Sequence, residues 1–395
     1  MENTVALNHS PQVVTNGLVF YYDMANSQKS WKGAPTTNLV NPSWAAWSID
    51  GSGQGSIGTR TITSTYECII LDTAANTRQN TYVTGIAGST TYTFSVQYKK
   101  VFGAPTLRFQ LQSYNGGTPL GSVFPTTVQL GLTDKEGWQT AFYTYTTSAG
   151  ADRVLWFMQD GDDYTTYTHS FILANAQCEA GSFATPFVAG TRSNTQAVLD
   201  LTGRRTVSVG GSPTYGSDGT FTFSSSGSTT LNLGSGNNFL PMPSLTLEAW
   251  IKTPGLGSGM SVNGIWGFTY GIRFNAASDG SLYFIIGTDV TTFVNIGTSG
   301  VNVNDNNWHH VVAVKNGDSS CAIYVDGVVR ASGTPVAGWS GTNPWAAMEI
   351  QVGRDQNDAP YYFNGRINVG RVYNRGLSAT EVQQNFNAQR GRYGI

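Results

Sequence analysis

The fold is decided by the runs LTLEAWIK at residues 245–252, WHHVVAV at residues 308–314 and IYVDG at residues 323–327. Apolar side chains recur at every second position or fill these runs, which is the pattern of β-strands with one or both faces buried. The stretch Cys321–Arg330 predicts a hairpin, because Asp326 and Gly327 supply the two positive-φ positions of a type I′ turn.

The rest of the chain follows the same pattern. Thr91–Val96 and Leu107–Leu111 also alternate with a period of two, and residues that favour turns lie between them. Helical spacing is convincing only in Ser378–Gln389, where Ser378 is a suitable N-cap and Glu381 completes a capping box. We therefore predict an all-β protein with one short C-terminal helix.

The composition excludes several classes of partner. The chain has 395 residues, of which 39% are hydrophobic, 12% aromatic and 12% charged, and its formal net charge is −2. This composition is that of a folded chain, and it gives neither a basic footprint for nucleic acid nor a polybasic patch for a membrane surface. Apolar residues never run together over the ~18 positions that a membrane span needs. We expect no nucleic-acid partner and no membrane partner.

The cysteines and the N-terminus bear on where the chain folds. Cys68, Cys178 and Cys321 are widely spaced, odd in number and without a CxxC pair, so they predict reduced, buried thiols. Residues 1–14 lack the basic and apolar regions of a signal peptide, so we expect synthesis in a host cytoplasm. The same residues carry apolar side chains and predict an arm that orders against another chain.

The C-terminal half resembles the laminin-G-like, concanavalin A-like lectin jelly roll. The three runs quoted above are followed in the family's order by Phe363–Ile367 (FNGRI) and Arg371–Ser378 (RVYNRGLS). Asn16–Asp23 (NGLVFYYD) is similar to the strand that opens such domains, and Asp200–Gly203 (DLTG) to the segment that usually follows it. The resemblance implies one jelly roll whose first strand, Gly17–Asp23, pairs near residues 366–373.

A second module separates that first strand from the rest of the domain. Its final segment, Ala176–Phe187, resembles the closing strand of carbohydrate-binding-module-like jelly rolls that are common in bacteriophage fibre and virion proteins. The predicted domains are an N-terminal arm (1–15), a discontinuous laminin-G-like jelly roll (16–38 plus 195–395) and an inserted galactose-binding-like jelly roll (39–190). The expected fold is two antiparallel β-sandwich jelly rolls. An insertion of this kind is possible because a surface loop tolerates a guest domain whose ends lie close together.

The ionisable residues do not form a recognisable catalytic motif. Glycoside hydrolysis needs two carboxyl groups about 5 to 10 Å apart, but Glu248 and Glu349 each stand alone in strand-like runs. His309 and His310 are adjacent in a strand, so they point to opposite faces and cannot bind one metal together. No catalytic residue is therefore predicted, and a non-enzymatic protein is expected.

A calcium site is the alternative interpretation of two acidic loops. Asp160, Asp162 and Asp163 cluster around Gly161, and Asp355, Asn357 and Asp358 form a second group. Calcium takes six to eight oxygen ligands, but Asp and Asn beside Gly also form ordinary turns. The turn interpretation is favoured, so we expect no cofactor and keep calcium at Asp160, Asp162 and Asp163 as the alternative.

Aromatic residues in loop-like sequence supply the candidate binding site. Sugar rings pack on aromatic faces, and their hydroxyl groups need polar side chains nearby. Such surfaces also form protein interfaces, and the residue types do not separate the two. Trp31, Trp44 and Trp47 lie in similar contexts and are also expected at a surface. The candidate carbohydrate-binding residues are Arg354, Asp355, Asn357, Asp358, Tyr361, Tyr362, Trp339, Trp345, Tyr164 and Tyr167.

The resemblance implies a bacteriophage virion surface protein, of the capsid decoration or fibre type, that binds glycans weakly and in many copies to aid host attachment. Its expected partners are other capsid or tail proteins, cell-surface or environmental glycans, and further copies of itself in a homo-oligomer such as a trimer. Two alternatives stay open. One is a purely structural virion protein that uses its jelly rolls for protein contacts, and the other is a polysaccharide-degrading enzyme.

Overall fold

The computed structural model describes residues 12–26, 29–51, 58–73, 77–103, 107–121, 126–130, 137–160, 168–215, 221–235, 243–268, 271–287, 292–336, 349–355 and 361–395. The chain divides into two compact units. We call one the host unit; it comprises Met1–Ala34, Asn194–Gly216 and Thr220–Ile395. We call the other the inserted unit; it comprises Pro35–Ser193 and Ser217–Gly219.

Strands dominate both units. The strands up to residue 192 are β1 (Leu18–Asp23), β2 (Thr36–Thr37), β3 (Ser48–Gly51), β4 (Thr59–Ser64), β5 (Glu67–Thr73), β6 (Thr77–Thr84), β7 (Thr91–Phe102), β8 (Leu107–Asn115), β9 (Thr118–Pro119), β10 (Thr126–Leu130), β11 (Gln139–Thr146), β12 (Arg153–Asp160), β13 (Thr168–Ala180) and β14 (Thr191–Arg192). Those after it are β15 (Ser208–Gly210), β16 (Thr214–Tyr215), β17 (Phe221–Thr222), β18 (Thr230–Ser235), β19 (Leu245–Lys252), β20 (Val262–Phe268), β21 (Ile272–Ala277), β22 (Leu282–Gly287), β23 (Phe293–Gly297), β24 (Trp308–Asn316), β25 (Ser320–Val325), β26 (Val328–Gly333), β27 (Glu349–Val352), β28 (Arg354–Asp355), β29 (Tyr361–Tyr362) and β30 (Arg366–Tyr373).

The host unit is a sandwich of two antiparallel sheets. The sheet that we call the back sheet has the order β1-β30-β19-β24-β25-β26, and the front sheet has the order β15-β18-β27-β20-β21-β22-β23. Alternate side chains of both sheets meet in one apolar core, which includes Leu247, Trp266, Phe274 and Val352. β19 and β24 confirm the strands predicted at residues 245–252 and 308–314. The positive φ angles of Asp326 and Gly327 confirm the predicted hairpin turn.

The first strand of the host unit pairs with a strand near its C-terminus. β1 runs antiparallel to β30, with Leu18 opposite Tyr373 and Asp23 opposite Val369. This confirms the pairing predicted for Gly17–Asp23. On its other side, the Tyr21 amide donates to Asp200 Oδ1 at 3.0 Å, and the Leu201 amide donates to the Tyr21 carbonyl at 2.7 Å. The DLTG segment therefore lies beside β1, although far from it in sequence.

The inserted unit enters and leaves the chain at paired segments. Within the host unit, the Lys32 amide donates to the Ala197 carbonyl at 2.8 Å. Within the inserted unit, β2 pairs with β14. Both connections therefore run side by side, which is the condition under which a loop accepts a folded guest.

The inserted unit is a second antiparallel sandwich. Its sheets have the orders β10-β8-β12-β6-β3 and β11-β7-β13-β5-β4. Trp44, Trp47 and Trp156 are at most 2% exposed and pack in its core. Trp31 of the host unit is 7% exposed. The expectation that Trp31, Trp44 and Trp47 form a contact surface was wrong, because all three side chains pack in the apolar cores of their units.

The predicted helix is confirmed as α1 (Ala379–Gln389), with Ser378 as N-cap and a complete capping box to Glu381. It covers the outer face of the back sheet, where Phe386 stacks on Trp250 at a ring distance of 5.9 Å. In the part of the chain that the structure describes, no helix is long and apolar enough to cross a membrane.

A buried charged cluster lies between α1 and the back sheet. Glu248, His310 and Arg371 are fully buried. Glu248 contacts Arg371, accepts from Asn385 Nδ2 at 2.7 Å and lies 3.0 Å from His310 Nε2. The neighbouring His309 instead contacts Asp305 and Asp326, so the two histidines hold separate partners. These contacts tie β19 to β24, to β30 and to α1, which is a structural role.

The three cysteines are free and buried, as predicted. Cys68 and Cys178 belong to the core of the inserted unit, and Cys321 belongs to that of the host unit. Burial raises the pKa of Cys68 to about 12. A thiol with so high a pKa is almost entirely protonated at neutral pH and reacts slowly.

The described end of the N-terminal arm packs on its own chain. Val14 is 8% exposed and lies in an apolar cluster with Leu377 and Val382. Its amide donates to Asn385 Oδ1 at 2.7 Å, and its carbonyl accepts from the Tyr373 hydroxyl at 3.0 Å. The expectation that this part of the arm orders against another chain was therefore wrong for Val14, because its own helix offers both the apolar and the polar contacts. Residues 1–11 lie outside the described residues.

Candidate functional site

The candidate site lies on the outer face of the front sheet. In β21, Ile272, Phe274 and Ala276 point into the core. The intervening Arg273 and Asn275 must point outward, because successive side chains of a strand alternate between the two faces. The same rule places Gln351 outward, between Ile350 and Val352. These outward positions are polar, although two of them, Asn275 and Gln351, are at most 4% exposed.

A two-stranded ribbon lies on this face. After β27 the chain turns at Gly353, with φ of 82°, and forms β28, which pairs with β29. The ribbon rests against β20 at Gly264, where a Cβ atom would overlap the Asp355 amide nitrogen and the Tyr361 carbonyl. Glycine at position 264 is what lets backbone lie so close to the sheet.

The ribbon brings one carboxylate to the outward side chains of β21. Asp355 is 2% exposed, and its Oδ2 accepts from Asn275 Nδ2 at 2.5 Å. Its Oδ1 lies 3.9 Å from Arg273 Nη1, beyond hydrogen-bond range. In the described part of the chain, neither Asp355 Oδ1 nor Asn275 Oδ1 has a hydrogen-bond partner. Burial raises the pKa of Asp355, although Arg273 and Asn275 oppose the rise.

Aromatic rings flank this polar centre. Arg354 holds its guanidinium over the Tyr362 ring at 5.4 Å and donates to Gln351 Oε1 at 3.2 Å. Tyr361 and Tyr362 are half-buried. Tyr283 lies opposite Asn275 in the sheet register, and its ring covers Gly297. The site therefore combines two acceptor oxygens, a guanidinium donor and aromatic faces.

This arrangement can bind a polyhydroxylated molecule. A hydroxyl group placed near Asp355 and Asn275 would donate to a buried oxygen that otherwise lacks a partner, which removes a cost of about 1–3 kcal/mol. The same hydroxyl could accept from Arg273. The residues that the structure describes include no cluster of three or more His, Cys, Asp or Glu side chains that could hold a metal.

The structure brings together four of the predicted binding residues. Arg354, Asp355, Tyr361 and Tyr362 meet in the ribbon. Asp355 was expected in an exposed loop, and this was wrong because the ribbon buries it against β20. The other predicted binding residues lie outside the described residues, and they are Asn357, Asp358, Trp339, Trp345, Tyr164 and Tyr167.

The calcium alternative falls on a stretch that is mostly undescribed. Asp160 is the last residue of β12, and Asp162 and Asp163 lie outside the described residues. Calcium binding there stays a prediction.

Sequence reasoning missed Arg273, Asn275, Gln351 and Tyr283. A signal for two of them was present, since the run IRFNAA at residues 272–277 alternates apolar and polar side chains, and polar side chains alternating with core residues mark an outward face. What the run could not indicate is that the ribbon of β28 and β29 lies over that face.

Residues 224–383 match the family model described as the Concanavalin A-like lectin/glucanases superfamily. The match spans strands of both host sheets and the start of α1. It confirms the concanavalin A-like resemblance of the C-terminal half. Among curated proteins, none matches the sequence of this chain.

Several solved structures are similar to part of the chain. The binding domain of botulinum neurotoxin DC in complex with rat synaptotagmin II is 16% identical over 50% of this chain and 50% of that chain, with a TM-score of 0.40. The same domain in complex with SialylT is 17% identical over 50% and 49%, with a TM-score of 0.38. The binding domain of Paraclostridial Mosquitocidal Protein 1 is 17% identical over 48% and 49%, with a TM-score of 0.34. The chain thus spans about half the length of these structures.

Proposed function

We propose that the protein binds glycans at the front-sheet site and leaves them intact. The observation that carries the proposal is the buried pair of Asp355 and Asn275, each with an oxygen that no described residue satisfies, beside the guanidinium of Arg273. A hydroxyl-rich ligand supplies the missing hydrogen bonds, and Tyr362 offers a ring face beside them. Hydrolysis needs two carboxyl groups about 5 to 10 Å apart, and the sequence shows no recognisable pair of that kind.

Binding at one such site is expected to be weak. The site lies on a sheet face and buries little of a sugar, so we expect a dissociation constant from millimolar to tens of micromolar, or about 4 to 6 kcal/mol. Display in many copies raises avidity by roughly 10² to 10⁴. A bacteriophage virion surface, as capsid decoration or fibre, supplies those copies, and the similarity of Ala176–Phe187 to modules of virion proteins supports this setting. A homo-oligomer, such as a trimer, and contacts with capsid or tail proteins follow from the same setting.

A second candidate is a purely structural virion protein. It is favoured by large side chains on the surface of the inserted unit, where Trp138 and Phe142 are each 46% exposed and Tyr82 is 48% exposed. Aromatic residues are enriched at protein interfaces. This candidate predicts binding to virion proteins and none to glycans.

The test replaces the carboxylate without changing its shape. Asp355→Asn keeps an oxygen for Asn275 but removes the ionised acceptor, so we expect glycan binding on an array to fall to background. The same substitution removes a buried charge with an unpartnered oxygen, so the host unit should become more stable, by about 1 kcal/mol. Thermal unfolding measures that gain.

Asp318→Asn is the matched control, because the Asp318 side chain is 50% exposed and lies in the turn between β24 and β25 of the back sheet. It should bind glycans like the unaltered protein. Unchanged binding by Asp355→Asn would show that this is not the site. Release of reducing sugar from a bound glycan would overturn the non-enzymatic assignment.

A further inference from the structure

A groove lies on the opposite side of the host unit, between α1 and the β25–β26 hairpin. Its volume is about 750 Å³. Tyr324, Val328 and Val329 give it an apolar wall, and side-chain amides of α1 give it a polar one. Val328 and Val329 are 47% and 53% exposed, which is unusual for apolar residues next to each other.

One wall of the groove is the edge of a sheet. β26 is the last strand of the back sheet and pairs only with β25 in the described order. An edge strand presents backbone N–H and C=O groups that can accept a further strand, and native proteins usually cover such edges. A segment of extended chain could therefore bind here through its backbone as well as its side chains.

The chain itself arrives at this groove. Gln384, one of the residues that line it, donates through Nε2 to the Gln12 carbonyl at 2.7 Å. Val14 is fixed beside it by Asn385. Gln12, the first described residue, therefore lies at the rim of the groove. The sequence of residues 1–11, MENTVALNHSP, places Val5 and Leu7 two positions apart, on one side of an extended segment.

We propose that residues 1–11 bind in this groove of their own chain, along β26, with Val5 and Leu7 against Val329 and Tyr324, which are paired on the same face of the sheet. The reach is sufficient, because the seven residues from Gln12 to Val5 span at most ~25 Å when extended. The short tether also favours the chain's own arm over a free partner, since it gives an effective concentration in the millimolar range. The arm then shields an edge that otherwise invites aggregation.

The first test is a disulfide between the arm and the groove. The protein's own three thiols are buried, so they should not compete with introduced cysteines for disulfide formation. Val5→Cys combined with Val329→Cys should form an intrachain bond under mild oxidation, seen as a faster-migrating monomer in non-reducing electrophoresis. The matched control combines Val5→Cys with Leu199→Cys, since Leu199 is 36% exposed but donates to Ser30, in the segment that follows β1, and β1 is the other edge of the back sheet.

The pair with Leu199 should remain unlinked. Equal linkage of both pairs, linkage of neither, or a product that is only a disulfide-linked dimer would overturn the proposal. Hydrogen exchange provides a second measurement without new thiols. Val5→Asp with Leu7→Asp should remove the protection of those β26 amides that do not donate to β25, whereas Thr4→Asp with Asn8→Asp, on the other side of the segment, should leave it unchanged. Identical exchange in both variants would also count against the groove.

Discussion

At the scale of single residues, Glu248 illustrates what sequence can and cannot predict. The run LTLEAWIK indicates that Glu248 stands alone in a strand and is not one of a catalytic pair. Its ionic partner is Arg371, 123 positions away, and no spacing rule connects them. Burial alone raises the pKa of Glu248, but Arg371, His310 and Asn385 outweigh burial and lower the pKa to about 2.

This lowered pKa makes a prediction for stability against pH. The pKa is about 2 in the folded protein and near the ordinary value of 4.5 in the unfolded chain, so the ionised group stabilises the fold above about pH 4.5. That contribution is lost as the pH falls from 4.5 towards 2. Glu248→Gln should cost about 3–5 kcal/mol at neutral pH, because Arg371 is left buried without its counter-charge.

Urea unfolding of the host unit at several pH values measures the effect. The difference between Glu248→Gln and the unaltered protein should shrink on acidification. Glu381→Gln is the control, since Glu381 also pairs with an arginine but its side chain is 28% exposed. It should cost about 1 kcal/mol. An equal cost for both substitutions would contradict the role given to burial.

At the scale of elements, local signals were sufficient where the contacts are local. The capping box of α1 and the type I′ turn before β26 are each contained within a few residues, and both are confirmed. The ribbon of β28 and β29 was not foreseen, since its position depends on Gly264, which comes about 90 residues earlier in the chain. The candidate site was thus half predicted. Its ribbon residues carry a compositional signal, whereas the side chains of β21 become part of the site only through the tertiary fold.

The ribbon's dependence on one glycine can be tested directly. Gly264→Ala should displace β28 and β29 from the sheet, weaken glycan binding and cost about 1–3 kcal/mol of host-unit stability, because a methyl group would overlap backbone. Gly190→Ala is the control, since its added methyl group meets no atom within 4 Å. Array binding and thermal unfolding measure both effects. Full binding by Gly264→Ala would mean that the ribbon does not position Asp355.

At the scale of the whole molecule, each unit has its own apolar core. Phe20 lies in the core of the host unit, and Phe94 lies in that of the inserted unit. The all-β class and the lectin-type fold followed from period-two runs and from family-like motifs in a fixed order. The placement of the N-terminal strand beside β30 followed from the resemblance of NGLVFYYD to the strand that opens such domains.

Separate cores predict separate unfolding transitions. Phe20→Ala should destabilise the host unit by about 3–5 kcal/mol and leave the transition of the inserted unit unchanged. Phe94→Ala should have the reverse effect, since both rings are fully buried. Differential scanning calorimetry distinguishes the two transitions. If both transitions shift together in either variant, the cores do not unfold independently.

The pairing of β1 with β30 also determines how the chain responds to tension. A force applied between residue 17 and α1 loads the β1–β30 pair at the end where Leu18 faces Tyr373. The hydrogen bonds between the two strands would therefore break one after another instead of all together. The segment Pro35–Ser193 bears no force until β1 has separated from β30 as far as Asp23. The inserted unit is thereby shielded from force, and the host unit yields first.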